Sequence, residues 1–136
     1  MNKIVVSSIA VLIFFFTTSS FLQQYDLPKS IERGKEVYTI YCMNCHMVDG
    51  NGTEGVYPPL AKSDYLKKPV TLLINSVLLG QDGEVMVNGT KYTVLMPPQN
   101  YLTDEQIADV LNYARNDWGN KNTVAVTPEQ VKALRK

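Results

Sequence analysis

Apolar positions set the expected elements along this chain. From Ser30, the residues Ile31, Val37, Tyr38 and Tyr41 fall on one helical face, with Gly34 on the same side. Ser30 is the expected N-cap, and Glu32 suits a first turn, where the helix dipole favours an acid. The stretch Val70–Leu79 is too densely apolar for an exposed helix and predicts a buried one. Residues 84–87 and 92–94 read as short strands around Asn88-Gly89, the strongest short-range hairpin signal.

The most legible element starts at Thr103. Thr103 and Gln106 form a T-x-x-Q capping box, and Ile107, Val110, Leu111, Ala114 and Trp118 repeat at i, i+3, i+4, i+7 and i+11. Gly119 is expected to close this helix as its C′ residue. Thr127-Pro128-Glu129 puts proline at the first helical position behind a threonine cap, which predicts a short helix over 128–135. Loops lie between: 49–55 is rich in glycine, and prolines stiffen Tyr57-Pro58-Pro59-Leu60 and Met96-Pro97-Pro98.

At 136 residues the chain is one small domain plus a short extra segment. Lys3 precedes an uncharged, mostly apolar run from Ile4 to Phe16, and the small residues Thr17 to Ser20 follow. That is the layout of a secretory signal peptide, expected over residues 1–22. The run falls short of the roughly 20 apolar residues of a membrane span. Phe21 and Leu22 extend it, so an uncleaved anchor is the alternative. Residues 23–29 read as a linker, 30–119 as the folded domain and 120–136 as a C-terminal tail. Thirteen basic residues balance thirteen acidic ones, and losing Lys3 with the leader leaves the acids ahead by one. A nucleic-acid surface needs a basic stripe, and this chain has none.

The two cysteines and the single histidine all fall within five residues, as Cys42, Cys45 and His46 in C-x-x-C-H. A structural zinc site wants four Cys or His ligands, and no second half-site exists. A thiol-exchange dithiol belongs at a helix start within a strand–helix–strand frame. Here the motif follows a helix and no such alternation surrounds it. The remaining chemistry is covalent haem attachment, in which both thiols add to the porphyrin vinyl groups and the next residue turns its imidazole onto the iron. Export agrees with that reading, since the thiols then meet haem outside the cytoplasm.

The second axial ligand must reach the opposite haem face, and with no other histidine it falls to methionine. Met43 and Met47 sit beside the motif and cannot wrap round the ring. Met86 lies between Val85 and Val87, where a methionine is usually core filler. Met96 precedes two prolines that hold the backbone extended, so a thioether there is presented at a fixed depth. Met86 also has chain enough to reach, so both stay candidates, with Met96 favoured.

Over nearly all of residues 30–119 the chain resembles the class I (monohaem) cytochromes c. Gly34 and Tyr38, ahead of Cys42, match that family's N-terminal helix contact, and Val110 and Tyr113 match its C-terminal partner. The resemblance implies an all-α fold of three or more helices around one covalent haem c, with only a minor β-hairpin. It also implies that a loop proline, Pro58 or its neighbour Pro59, accepts a hydrogen bond from the ligand imidazole. The stretches "VYPPLAKSDYL" and "LTDEQIADVLNYARNDWGN" are similar to bacterial periplasmic cytochrome domains that serve reductases and quinoprotein dehydrogenases. The implied function is periplasmic electron transfer between redox partner proteins, with no substrate chemistry of its own. Alternatives are a cytochrome subunit docked permanently on an oxidoreductase, where the 120–136 tail has a role, and a haem-based sensor or weak peroxidase. The last lacks a distal His or Arg.

Overall fold

The computed structural model describes residues 25–135; the expected leader lies outside them. The described residues form five α-helices: α1 (Leu27–Tyr41), α2 (Met43–His46), α3 (Val70–Leu79), α4 (Asp104–Ala114) and α5 (Pro128–Leu134). A 3₁₀ turn covers Tyr65–Lys67, and β1 (Val85–Val87) pairs antiparallel with β2 (Thr90–Tyr92). Asn88 and Gly89 both take positive φ, 49° and 79°, as the mirror-image turn of a tight hairpin requires.

Helix α1 begins earlier than its apolar pattern implied. Its cap is Asp26, whose carboxylate accepts from Lys29 N, and Pro28 sits in the first turn, where its missing N–H costs nothing. Residues 27–29, read as linker, are therefore helical. Ser30 is no cap. It lies fully buried and donates from Oγ to Asp109 Oδ1 at 2.6 Å. Arg33 adds a two-pronged contact to the same carboxylate at 2.7 and 2.8 Å, and Tyr25 OH donates to it at 3.0 Å.

Among the described residues, helices α1 and α4 form the largest contact, and they touch at Gly34. A Cβ there would collide with the Asp109 carbonyl oxygen and sit 2.8 Å from the Tyr113 Cβ. The two backbones touch because no side chain separates them. Tyr38, Tyr113 and Trp118 close one end of the crossing, with ring centroids 4.8 to 5.4 Å apart.

The capping box of α4 is present: Gln106 N donates to Thr103 Oγ1 and Thr103 N to Gln106 Oε1. The helix ends at Ala114, short of the expected Gly119 stop. Asn120 Nδ2 takes the Ala114 carbonyl at 2.8 Å, and Trp118 turns left-handed at φ 48°. Trp118 thus reaches the aromatic cluster from a turn rather than from the helix. Burial of α4 is nearly complete around its circumference, because α1, α3 and α5 all contact it. Its polar residues are buried because they are paired. Asn112 exchanges two hydrogen bonds with the Val126 backbone, at 2.7 and 2.8 Å. Val126 and Val131 are fully buried, so residues 120–135 pack into the core instead of forming a separate tail.

Replacing Gly34 by alanine forces α1 away from α4. Denaturant unfolding of Gly34→Ala should show a loss of about 3 kcal/mol, the upper range for overpacking a tight contact.

Candidate haem site

The C-x-x-C-H motif occupies the single turn that follows α1. Cys45 N and His46 N both donate to Cys42 O, so Cys42, Cys45 and His46 share one tight turn. The loop beyond is folded back on that turn. Gly52 N donates to His46 O at 3.0 Å, Tyr38 OH to Met47 O at 2.6 Å, and Leu60 N to Gly50 O at 2.7 Å. Gly52, at φ 61°, is required here: a Cβ would meet the Tyr57 oxygen and come within 2.7 Å of Pro58 O.

This folding brings Pro58 to the histidine. Pro58 O lies 3.0 Å from His46 Nδ1. A carbonyl can only accept, so Nδ1 carries the proton and the Nε2 lone pair is left for a metal. Burial pushes the imidazole pKa below its usual value, against the smaller opposing pull of the Pro58 bond. Burial thus favours the neutral ring, the form that binds a metal, and the Pro58 bond orients it.

Cys42, Cys45, His46, Pro58 and Met96 all line one cavity. It holds about 1180 Å³ of empty space when the open solvent at its mouth is counted. Its walls are almost wholly apolar and come from several elements, including Tyr38 of α1, Leu73 and Val77 of α3, Val87 of β1 and Leu111 of α4. A wide, greasy cleft with two free thiols and an imidazole at its edge fits a large flat macrocycle attached by thioethers. Burial raises the Cys42 thiol to about 12, the reverse of what a thiol-exchange cysteine needs. Among the described residues no three His, Cys, Asp or Glu side chains converge on a metal-sized site.

Met96 enters the cavity from the loop before α4 and is half-buried. Met86 does not line it. Expected as buried strand filler, Met86 is 46 % exposed, because the β1 pleat turns Val87 inward and its neighbour outward. Sequence reasoning missed a polar group in the same wall: Tyr65, Ser76 and Gln81 are mutually hydrogen-bonded. Only Ser76 left any trace, as a hydroxyl on the inner face of the apolar helix.

A helical bundle around an apolar cleft, edged by a thiol pair and an oriented imidazole, defines a covalent haem-binding domain. The cytochrome c family profile matches residues 31–118. Cytochrome c-552 of Thermus thermophilus is 35 % identical over 127 residues, 88 % of this chain and 85 % of that protein. The cytochrome c subunit of the quinone alcohol dehydrogenase of Gluconobacter oxydans is 37 % identical over 105 residues, 75 % of this chain but 22 % of that protein. The gluconate 2-dehydrogenase cytochrome c subunit of Pantoea cypripedii is 35 % identical over 109 residues, 77 % of this chain and 24 % of that protein. The chain thus spans less than a quarter of these dehydrogenase subunits and most of cytochrome c-552. It belongs to the cytochrome c family. It is an electron-transfer protein with covalently bound haem c, and Cys42 and Cys45 supply the thiols of the attachment motif.

A domain of this size has a modest core, and bound haem would supply the apolar surface that the cavity walls lack. The Cys42→Ala, Cys45→Ala double variant, unable to hold haem, should be largely unfolded by far-UV circular dichroism.

Proposed function

We propose that His46 Nε2 and Met96 Sδ are the axial ligands of one haem c, and that the protein is an exported, periplasmic carrier passing electrons between redox partner proteins. The observation that carries the ligand assignment is that His46 and Met96 line one cavity from separate elements, while Met86 lies outside it. Bound haem supplies a one-electron iron couple. The chain determines how that couple behaves. His46 is held in its ligating tautomer by Pro58, and the Met96 thioether, a soft neutral donor, favours the ferrous state. With both positions filled by protein atoms, no site remains for dioxygen or peroxide. The apolar walls keep water from the metal and raise the potential further.

The periplasmic reading rests on the leader-like residues 1–22 and on the chemistry of haem attachment. Among the described residues no helix is long and apolar enough to cross a membrane.

Mutation separates the two methionines. Met96→Ala should abolish the far-red sulfur-to-iron band of the ferric protein, lower the potential and admit cyanide or carbon monoxide. Met86→Ala should keep the band and change stability by no more than about 0.5 kcal/mol, as for other exposed positions. The opposite pattern would reverse the assignment.

A second reading, a cytochrome held permanently on an oxidoreductase, is supported by the similarity to dehydrogenase cytochrome subunits. Gel filtration of a detergent extract of native cells separates the two. A free carrier should elute alone as a small protein, below the 15.3 kDa of the whole chain once the leader is removed, and a docked subunit with a far larger partner.

A further inference from the structure

The loop that carries Met96 has few ways of being held. Pro97 and Pro98 have no N–H, so between Leu95 and Asn100 the only backbone donors are Met96 and Gln99. The end of α3 and the residue two beyond it take both. Met96 N donates to Gln81 O at 3.0 Å, Gln81 N donates back to Met96 O at 2.9 Å, and Gln99 N donates to Val77 O at 2.9 Å. Gly80 lets the two strands meet, since a Cβ there would collide with Met96 O and lie 2.8 Å from Pro98 N.

Gln81 is itself pinned from inside the cavity wall. Its Nε2 donates to Ser76 Oγ at 2.6 Å and to Tyr65 OH at 2.8 Å. Ser76 Oγ donates onward to Leu72 O at 2.9 Å, which ties the cluster to the α3 backbone. In walls that are mostly apolar, Tyr65 and Ser76 both bond the side chain of Gln81, the residue whose backbone pairs with Met96.

We infer that Gln81 is a positioning residue for the sixth ligand: anchored by Ser76 and Tyr65, it fixes the backbone from which the Met96 thioether reaches the iron. The inference rests on Met96 being that ligand. A methionine side chain has three free torsions and no rigidity of its own. How long its sulfur stays on the metal therefore depends on how firmly its backbone is held. Gln81 acts at one remove, through its backbone pairing with Met96.

The test uses the haem-loaded protein and reads the rate of cyanide binding to the ferric form, which waits on release of the sulfur, together with the reduction potential. Gln81→Leu should keep the far-red band at neutral pH but bind cyanide about tenfold faster, on the order expected for losing the two part-buried hydrogen bonds of Gln81 Nε2. Tyr65→Phe combined with Ser76→Ala keeps Gln81 and most of the packing, and should speed cyanide binding in the same direction. Adding Gln81→Leu to that pair should produce much less than a second tenfold step, because the three residues form one coupled unit. A Gln81→Leu protein that melts earlier yet keeps wild-type cyanide kinetics and potential would make Gln81 a packing residue and overturn the inference. Full additivity with the Tyr65–Ser76 pair would overturn it as well. Met96→Ala is the control for the underlying assignment: if that variant keeps the band, the ligand itself is misassigned and the positioning role falls with it.

Discussion

Helices α1 and α4 meet backbone to backbone at Gly34, and the geometry of the site descends from that contact. The C-x-x-C-H turn follows α1 without a linker, so the place of Cys42, Cys45 and His46 at the cavity edge is set by how α1 lies on α4. A glycine permits the approach but does not fix rotation about it. The buried Asp109 carboxylate does, receiving four donors: Tyr25 OH, Ser30 Oγ, and Nε and Nη2 of Arg33. A carboxylate only 2 % exposed would be costly without partners. With four donors from α1 and the residues before it, it locks one side of the crossing, and the Tyr38–Tyr113–Trp118 cluster locks the other.

The two sides of the cavity are held on different principles. On the histidine side the chain folds tightly on itself, through backbone bonds from His46, Gly50 and Gly52, and the outcome is a carbonyl aimed at Nδ1. On the methionine side prolines remove the local donors, so the loop leans on α3 and on the Tyr65–Ser76–Gln81 group. Polar side chains in a low-dielectric wall hold firmly when all are satisfied. Tyr65, Ser76 and Gln81 brace one another there.

The segment beyond residue 118 lies outside the family match yet completes the domain. Asn112, fully buried on α4, offers its amide to both backbone groups of Val126, acting as a strand partner would. Arg135 then ties α5 to the start of α4, bonding Asp104 Oδ1 and the carbonyls of Asn100 and Leu102, each at 2.7 Å. The last two carbonyls lie in the loop that runs from Met96 into α4. Distant parts of the chain therefore converge on the loop that carries the methionine.

Local chemistry was readable along the chain because it is written in short spacings. The C-x-x-C-H turn, the Thr103–Gln106 capping box, the Asn88-Gly89 hairpin and the apolar run of α3 each depend on residues a few positions apart. The all-α fold followed from them and from the family resemblance, and Pro58 O lies 3.0 Å from His46 Nδ1. What failed was long-range. Ser30 looked like a cap because a serine before an apolar periodicity usually is one, and only the packing of α4 shows that its hydroxyl serves Asp109. The α4 periodicity ran on to Trp118, but Asn120 folds back onto the Ala114 carbonyl and ends the helix early. Met86 and Met96 were both within reach of the site, and a period-two strand pattern does not say which face meets the core. Pairings across tens of residues decide such matters, and one-dimensional spacing carries no record of them.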